Sequence, residues 1–358
     1  MYDPLGISQN KAHWDAIDLG DPLPALGVDY DLSWPEVLVT IQSSNRNTAP
    51  GKDRIHINVL KALVLEECMA EIKRLNPRFH RPDNVHIDLP LKNLPESPLT
   101  LLGKLFFQLL LRTWNTGCIP TQWNEVHIVN LHKGGDPENA NNYRRISLIS
   151  CAFKTLIAVM AARLSDKLNE AGRLSKEQSG FHKQEEAVAQ SIAPAKIVQH
   201  RSLLGKATFR LFIDFQKAYD RLYHKFLYKV LEHHGIGGCF LMLIKNMYKE
   251  TQYHIHVGDF ISGSFSPARG AKQGDPMSPI LYILCIDLIL KATSAKGGVC
   301  IMDIVQRCPG LMYANDVVSL ESKIEDCQRT LDGIWEWGQR FGIDLGLPKS
   351  GVLMWPSD

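Results

Sequence analysis

The sequence predicts a protein of the α+β class, with mixed helices and strands. Some stretches carry apolar residues at helical spacing, whereas shorter ones are apolar runs or alternate between apolar and polar residues, as strands do. The two patterns follow each other irregularly, without the regular strand–helix alternation that builds a parallel sheet. A chain of 358 residues, 45% of them hydrophobic, is long enough for two or three domains with a sizeable core.

The helices are predicted from apolar residues that recur every three or four positions. In the segment 99–114 these residues share one face, and Gly117 and Pro120 end the pattern. Ser278 and Pro279 are a helix-start signal, an N-cap residue followed by a proline at the first helical position. The predicted helices are 99–114, 152–168, 222–234, 279–291 and 324–341, and 34–41 is a further amphipathic stretch.

Strands are predicted at 126–131 and 209–213, which are apolar runs, and at 251–257, where apolar and polar residues alternate. Gly258 and Asp259 then predict a hairpin turn into 260–261. The apolar runs 311–313 and 317–320 predict a second hairpin, which carries Asn315 and Asp316 at its tip. Residues 77–98 contain five prolines and are predicted to form a linker or long loop.

Composition excludes several classes of protein. No apolar run approaches the ~20 residues of a membrane span, and the N-terminus lacks the apolar core of a secretory signal. We therefore expect an intracellular protein, nuclear or cytoplasmic. The eight cysteines form no CxxC pair, and His254 and His256 share a strand face without a third ligand, so no zinc site is predicted. Glycine-rich dinucleotide and phosphate motifs are absent from the sequence.

The net charge of +2 hides a gradient along the chain. Residues 1–100 and 299–358 are each net −4, whereas residues 121–210 are net +5, with thirteen basic and eight acidic residues. The middle of the chain is therefore the natural place for an anionic partner, although an excess of this size is also common on solvated faces.

Two aspartates indicate a metal site. Asp214 follows a buried strand, Asp316 lies in a hairpin turn, and the loop 270–279 comes between them in the sequence. Carboxylates from separate strand ends can hold a pair of divalent ions against a triphosphate, because hard Mg²⁺ prefers oxygen ligands. Two such ions stabilise the attacking and leaving oxygens of an in-line displacement. A single aspartate at a strand end is more often a turn cap, so the interpretation depends on the whole set.

Several segments in a fixed order carry a resemblance to a known family. Residues 212–220 read Phe-Ile-Asp-Phe-Gln-Lys-Ala-Tyr-Asp, 269–281 read Arg-Gly-Ala-Lys-Gln-Gly-Asp-Pro-Met-Ser-Pro-Ile-Leu, and 313–316 read Tyr-Ala-Asn-Asp. Further matching segments are 49–53 (Ala-Pro-Gly-Lys-Asp), 132–136, 142–147, 177–181, and Trp337 with 348–350. In this order they resemble the fingers and palm motifs of reverse transcriptases of non-LTR (LINE-type) retrotransposons.

The resemblance implies a right-hand polymerase fold of fingers and palm, with the thumb largely missing because only 42 residues follow Asp316. We expect residues 1–95 to form an N-terminal extension that includes the 49–53 motif, 96–210 the fingers and 211–358 the palm. The implied activity is RNA-directed DNA polymerisation, which needs dNTPs, an RNA template, a DNA primer and two Mg²⁺ ions.

The resemblance also implies which residues carry the chemistry. Asp214, the backbone carbonyl of Phe215 and Asp316 would hold the metal ions, with Asn315 beside them in the hairpin. Lys349 would stand near the leaving pyrophosphate as a general acid.

A second group of residues would bind the nucleotide. Lys133 and Arg144 would contact the triphosphate. Gln273 and Gly274 would line the nucleotide pocket, where a glycine lets the backbone approach closely. Tyr219 would lie under the incoming sugar, where a bulky side chain clashes with a ribose 2′-hydroxyl.

The sequence departs from the family pattern at a few positions. The family hairpin has two adjacent aspartates, and here the first is Asn315, whose amide offers a neutral oxygen in place of a carboxylate. We therefore expect polymerisation to be impaired. Arg145 stands where the family usually has proline, and Gly346 stands where it usually has asparagine. Asp220 is expected to be structural, for example an acceptor at a helix start.

Three alternatives remain beside an active polymerase. The chain can be a catalytically dead nucleic-acid-binding remnant or domesticated pseudoenzyme that uses its basic middle segment, or a non-functional translated copy that folds poorly. An RNA-directed RNA polymerase shares the metal chemistry, but Tyr219 and the Gln273 loop favour DNA synthesis.

Overall fold

The structure is a computed structural model, and it describes residues 10–76, 94–176, 178, 187–216, 218–294, 298–300, 307–308, 310–313 and 316–356. Most of the predicted 77–98 loop, most of the 177–181 segment and Asn315 lie outside the described residues. Within the described ranges, no helix is long and apolar enough to cross a membrane.

Helices and strands alternate irregularly along the chain, as the sequence predicts. The helices are α1 (Lys11–Asp15), α2 (Trp34–Ser43), α3 (Ile57–Leu75), α4 (Leu101–Thr116), α5 (Thr121–Asn124), α6 (Cys151–Glu170), α7 (Ala187–Leu203), α8 (Ala218–Arg221), α9 (His224–His233), α10 (Gly238–Lys249), α11 (Ser278–Ser294) and α12 (Ile324–Phe341). The strands are β1 (Glu125–His132), β2 (Tyr143–Leu148), β3 (Thr208–Ile213), β4 (Gln252–Val257), β5 (Phe260–Ile261), β6 (Val299–Cys300), β7 (Arg307–Cys308), β8 (Gly310–Tyr313), β9 (Asp316–Glu321) and β10 (Gly351–Trp355).

The described strands form two four-stranded sheets and the short β6–β7 ladder. The first sheet has the order β2-β1-β4-β5, in which β1 runs parallel to β4 and antiparallel to β2. The second has the order β10-β3-β9-β8, and its neighbouring strands are antiparallel. β4 and β5 fall in the range predicted as palm, yet they pair with a strand of the predicted fingers.

The second sheet is covered on one face by helices. Leu211, Ile213 and Val317 point to that face and form a buried cluster with side chains of α11 and α12, such as Tyr282 and Ile334. A larger core joins α2, α3 and α4 to α6, α9, α10 and α11. The helix-covered face of the sheet that carries Asp214 is therefore held by a hydrophobic core. Helix α11 contributes side chains to this cluster and to the larger core.

Strong periodicity predicted the elements well. The predicted helices correspond to α4, α6, α9, α11 and α12, and the predicted strands to β1, β3, β4, β5, β8 and β9, with ends shifted by a few residues. Among the elements that the sequence analysis missed are the longer helices α3, α7 and α10, the strands β2 and β10, and the short elements α1, α5, β6 and β7. β2 reads Tyr-Arg-Arg-Ile-Ser-Leu, which neither alternates nor forms an apolar run, so its pairing with β1 decides its structure.

The N-terminal segment is anchored on α6 by a buried arginine. The Arg163 guanidinium donates to both carboxylate oxygens of Glu36, at 2.9 and 2.7 Å, and to the carbonyls of Tyr30 and Asp31. It also stacks on the Tyr30 ring, 3.8 Å from the ring centre. Arg163 is 3% exposed, so these partners stabilise its buried positive charge in place of water.

Replacing Arg163 by methionine is expected to lower the free energy of unfolding by about 3 kcal/mol, because Glu36 and two carbonyls lose their buried partner. Urea unfolding followed by circular dichroism measures the change. Lys167→Met is the matched control, since Lys167 lies one turn along α6 and pairs with the exposed Glu170. We expect the control to change the free energy by less than about 0.5 kcal/mol. Equal effects of the two variants would contradict the anchoring role.

Candidate functional site

The register of the second sheet brings the two predicted carboxylates together. Ile213 of β3 lies opposite Val317 of β9, and one further step of this antiparallel register sets Asp214 opposite Asp316. Directly opposed residues share a face of the sheet. Both carboxylates therefore lie on the face away from the helices. The hairpin tip between β8 and β9, residues 314–315, lies outside the described residues.

The two carboxylates repel each other. Burial and the negative charge of Asp214 raise the pKa of Asp316, and the nearby Lys349 partly offsets this rise. The backbone of Asp214 is held by the segment before β10: its N–H donates to Ser350 Oγ at 3.1 Å, and its carbonyl accepts from the Gly346 N–H at 2.7 Å. Asp214 is thus fixed at a place where a positive charge would be stabilised.

A cleft of about 910 Å³ opens beside Asp214. Its walls come from the β1–β2 hairpin, the end of β3, α8, the loop before α11 and the segment before β10. The predicted functional residues that line it are Lys133, Arg144, Asp214, Phe215, Tyr219, Gln273, Gly274 and Lys349. Residues that line it without having been predicted include Asn141, Lys272, Asp275, Ser278 and Gly346.

Tyr219 forms a rigid wall of the cleft. Its ring stacks on that of Tyr282, with ring centres 4.7 Å apart and planes inclined by 26°. Tyr282 is fully buried on α11, so the Tyr219 ring packs against a side chain that is itself fixed in the core. Burial raises the pKa of Tyr219 to about 12, and the ring is therefore neutral at physiological pH.

The loop 270–274 is hydrogen-bonded to elements on both sides. The Ala271 N–H donates to the Tyr219 carbonyl at 2.7 Å, and the Gln273 carbonyl accepts from the Ser147 N–H at 2.8 Å. Gly274 has φ +103°, and a Cβ there would lie 3.2 Å from the Ser147 carbonyl oxygen. Both the conformation and the close approach favour glycine at this position.

Two buried side chains of opposite charge, Lys272 and Asp275, belong to this loop and the residue just after it. Lys272 Nζ donates to the Met247 carbonyl at 3.0 Å and to Thr251 Oγ1 at 2.8 Å. Burial lowers the pKa of Lys272 to about 8, partly offset by Asp275. Burial likewise raises the pKa of Asp275, and Lys272 opposes that rise. Each charge stabilises the other, because both side chains are almost fully buried.

Gly346 explains how the Asp214 carboxylate fits into the cleft. A Cβ at position 346 would lie 2.3 Å from Asp214 Oδ2, well inside contact distance. A side chain here would require the carboxylate to move. The departure from the family's usual asparagine is therefore coupled to the position of Asp214.

A comparison with known families matches residues 131–357 to the family described as reverse transcriptase (RNA-dependent DNA polymerase). The chain belongs to this family. It contains a reverse transcriptase domain with the mixed helix and strand architecture of the right-hand polymerases. The predicted resemblance and fold class are confirmed.

Curated relatives are proteins of mobile elements. The chain is 27% identical to a Retrovirus-related Pol polyprotein from type-1 retrotransposable element R2 of Popillia japonica, over 81% of this chain and 39% of the relative. It is 25% identical to the RNA-directed DNA polymerase from mobile element jockey of Drosophila melanogaster, over 81% of this chain and 31% of the relative. The R2DM polyprotein of Drosophila melanogaster is 25% identical over 65% of this chain and 22% of the relative. The chain thus spans about a fifth to two fifths of these relatives.

Among solved structures, the apo telomerase of Candida tropicalis, truncated from its C-terminal domain, aligns with a TM-score of 0.47 and 12% identity, covering 71% of this chain and 56% of that one.

Reverse transcriptases generally use divalent metal ions, and the described residues of this domain fit them in part. Asp214 and Asp316 supply carboxylate oxygens whose mutual repulsion a cation relieves. The backbone bridge between Phe215 and Leu345 is made by hydrogen bonds of the residues flanking Phe215, so it does not use the Phe215 carbonyl. No group of three His, Cys, Asp or Glu side chains in the described ranges could hold a metal ion alone. Backbone and substrate oxygens would therefore complete the ligand set.

Two side-chain contacts outside the cleft were not predicted from the sequence. Asp220 lies in the first turn of α8, as expected, and its carboxylate also accepts from Gln273 Nε2 at 3.3 Å and lies 3.7 Å from Arg145. His127 of β1 lies against His254 and His256, the histidines predicted to form a polar face of β4. These contacts join segments that are distant in the sequence, so no local pattern signals them.

Replacing Lys272 by methionine is expected to lower the free energy of unfolding by about 3 kcal/mol at pH 7, because the buried Asp275 loses the nearby positive charge that opposes the rise of its pKa, and two buried oxygens lose their donor. The folded pKa of Lys272, about 8, lies below its unfolded value. The unfolded chain therefore binds more protons above pH 8, and Lys272 makes the protein more stable as the pH rises toward its unfolded pKa of about 10.4.

Urea unfolding between pH 7 and 10 measures both effects, and the gap between the natural protein and Lys272→Met should widen above pH 8. The control is Lys245→Met, which removes an exposed ion pair between Lys245 of α10 and Glu232 of α9. A gap that stays constant with pH would show that Lys272 keeps an ordinary pKa.

Proposed function

We propose that the cleft binds a dNTP beside the 3′ end of a DNA primer on an RNA template. On this proposal the domain is a site of RNA-directed DNA polymerisation by descent, weakened by Asn315. The observation that carries the proposal is convergence: side chains from five separate segments, each expected from the sequence, line one cleft that ends at Asp214. The names of the curated relatives, which include RNA-directed DNA polymerases of mobile elements, support the same activity.

The chemistry would be an in-line displacement. The primer 3′-oxygen attacks the α-phosphorus of the dNTP, the new O–P bond forms, and the bond from that phosphorus to pyrophosphate breaks. Two Mg²⁺ ions held by Asp214, Asp316 and the Phe215 carbonyl would stabilise the attacking and leaving oxygens. The 3′-hydroxyl would lose its proton to a solvent water, and Lys349, which lines the cleft, would give a proton to the leaving pyrophosphate.

The remaining residues would hold the nucleotide. Lys133 and Arg144 face the cleft from the β1–β2 hairpin and would bind the triphosphate oxygens. Gln273 and Gly274 would contact the nucleotide from the opposite wall. Tyr219 would exclude the ribose 2′-hydroxyl, and its stacking on Tyr282 keeps the ring from moving aside.

A second candidate is a nucleic-acid-binding protein without polymerase activity. The observation that favours it is Asn315, which removes one negative charge where two dications would bind. Such a protein would still hold RNA or primer–template through phosphate contacts, and its affinity would fall steeply with salt.

Primer extension on an RNA template with Mg²⁺ and dNTPs distinguishes the two candidates. We expect Asn315→Asp to extend primers more than about 100-fold faster than the natural chain, since a lost charged partner costs several kcal/mol and each 1.36 kcal/mol is tenfold in rate. Asp214→Ala is the blank for this measurement. Asn169→Asp, which adds the same charge on the exposed face of α6, is the control for a nonspecific charge effect.

A natural chain that extends primers within about tenfold of Asn315→Asp would refute impairment by Asn315. If neither protein extends primers, and the natural chain binds primer–template with a steep salt dependence, the binding candidate is correct.

Replacing Tyr219 by valine is expected to raise ribonucleotide incorporation relative to deoxyribonucleotide incorporation by about 10- to 100-fold, because the wall that meets the 2′-hydroxyl is removed. Primer extension with dNTPs and rNTPs in the Asn315→Asp background gives the ratio. Tyr219→Phe keeps the ring and its contact with Tyr282, so its ratio should match that of the unaltered background. Equal ratios for the valine and phenylalanine variants would show that another residue selects the sugar.

A further inference from the structure

We infer that Arg145, Asp220 and Gln273 form a clasp that joins the β1–β2 hairpin to α8 and the loop 270–274, and that Arg145 is thereby a positioning residue for the nucleotide cleft. The inference rests on the proposed function, because the cleft is taken as the dNTP site. It adds a residue, Arg145, to which neither the family motif nor the cleft itself gives a role.

One carboxylate connects the three elements. Asp220 Oδ2 lies 3.7 Å from Arg145 NH1, and Asp220 Oδ1 accepts from Gln273 Nε2 at 3.3 Å. Each oxygen therefore serves a different partner. Arg145 comes from β2, Asp220 from α8, and Gln273 from the loop that precedes α11, so the clasp joins a strand of the first sheet to a helix and a loop.

Each part of the clasp is next to a residue of the cleft. Arg144, which precedes Arg145, and Tyr219, which precedes Asp220, both line the cleft. Gln273 is part of the clasp and lines the cleft as well. Backbone hydrogen bonds run alongside, from Ser147 N–H to the Gln273 carbonyl and from Ala271 N–H to the Tyr219 carbonyl. The clasp thus sets how far the triphosphate-binding wall stands from the wall under the sugar.

Arg145 acts from outside the cleft. Successive side chains of a strand point to opposite faces. Accordingly, Arg144 lines the 910 Å³ cleft, whereas Arg145 lines a separate pocket of about 640 Å³ on the other face of the hairpin. Arg145 therefore does not line the cleft, and its direct contact with the cleft walls is through the partners it holds.

The clasp is suited to positioning and contributes little to overall stability. The side chains of Arg145 and Asp220 are 38% and 18% exposed, and a pair so exposed to water stabilises the fold only weakly. Its loss should therefore change the cleft without unfolding the protein. This separation makes the role measurable.

Equilibrium binding of fluorescently labelled dATP in the presence of Mg²⁺ tests the inference. Arg145→Met removes the cation, and Asp220→Asn removes the charge while keeping an acceptor for Gln273. Arg329→Met is the matched control, because Arg329 makes an exposed pair with Asp326 on α12, away from the cleft.

Each clasp variant is expected to raise the Kd for labelled dATP by about 3- to 10-fold, with the melting temperature unchanged and the control at the natural value. The double variant should bind as weakly as either single variant and no weaker, because both remove one interaction. Unchanged affinity, or effects that multiply in the double variant, would overturn the inference.

Hydrogen exchange separates this inference from the proposed function. If the clasp holds β2 to the loop, the Ser147 amide should exchange faster in Arg145→Met and Asp220→Asn than in Arg329→Met, whether or not a nucleotide binds. If the natural chain binds no dATP while the two clasp variants still show this faster exchange, the proposed function is refuted and the clasp is retained. Equal exchange in all three variants would refute the clasp.

Discussion

The pairing of β3 with β9 in a single register is the constraint on which the site depends. This register places two like charges, Asp214 and Asp316, side by side, an arrangement that is unfavourable by itself. The free energy that holds it comes from the opposite face, where Ile213 and Val317 are buried against α11 and α12. A slip of one residue would expose these apolar side chains and bury the carboxylates, so the hydrophobic core fixes the position of the polar site.

The opposite side of the cleft depends on polar groups that are themselves buried. Lys272 and Asp275 lie in the same loop as Gln273 and Gly274, and their charges are compensated within the protein. Because both side chains are almost fully buried, this loop conformation depends on the mutual stabilisation of their charges. The two walls thus follow different physical rules: an apolar core lies behind the carboxylates, and two buried opposite charges lie at the loop 270–274.

Local sequence patterns predicted the helices and strands whose formation depends on residues close together in the sequence. The period of α12 and the apolar run of β3 were sufficient to place both elements, and the ordered motifs anticipated the cleft residues from Lys133 to Lys349. β2 and the contacts of Asp220 were not predictable, because they form between segments that are distant in the sequence. The sequence identified Gly346 only as a departure from the family pattern. Its closeness to the Asp214 carboxylate arises in the folded chain, where segments distant in the sequence meet. The effect of Asn315 on catalysis stays a prediction from the sequence, because this residue lies outside the described part of the chain.

β10 has a consequence for handling the protein in solution. It is the edge strand of its sheet in the described part of the chain, and its five residues, Gly351–Trp355, are all exposed. An apolar edge with unpaired backbone groups is a template for strand addition by a second chain. Concentrated samples are therefore expected to self-associate along this edge, next to Ser350 and the Asp214 backbone. A charged residue in place of Val352 would oppose that aggregation and leave the cleft side chains unchanged.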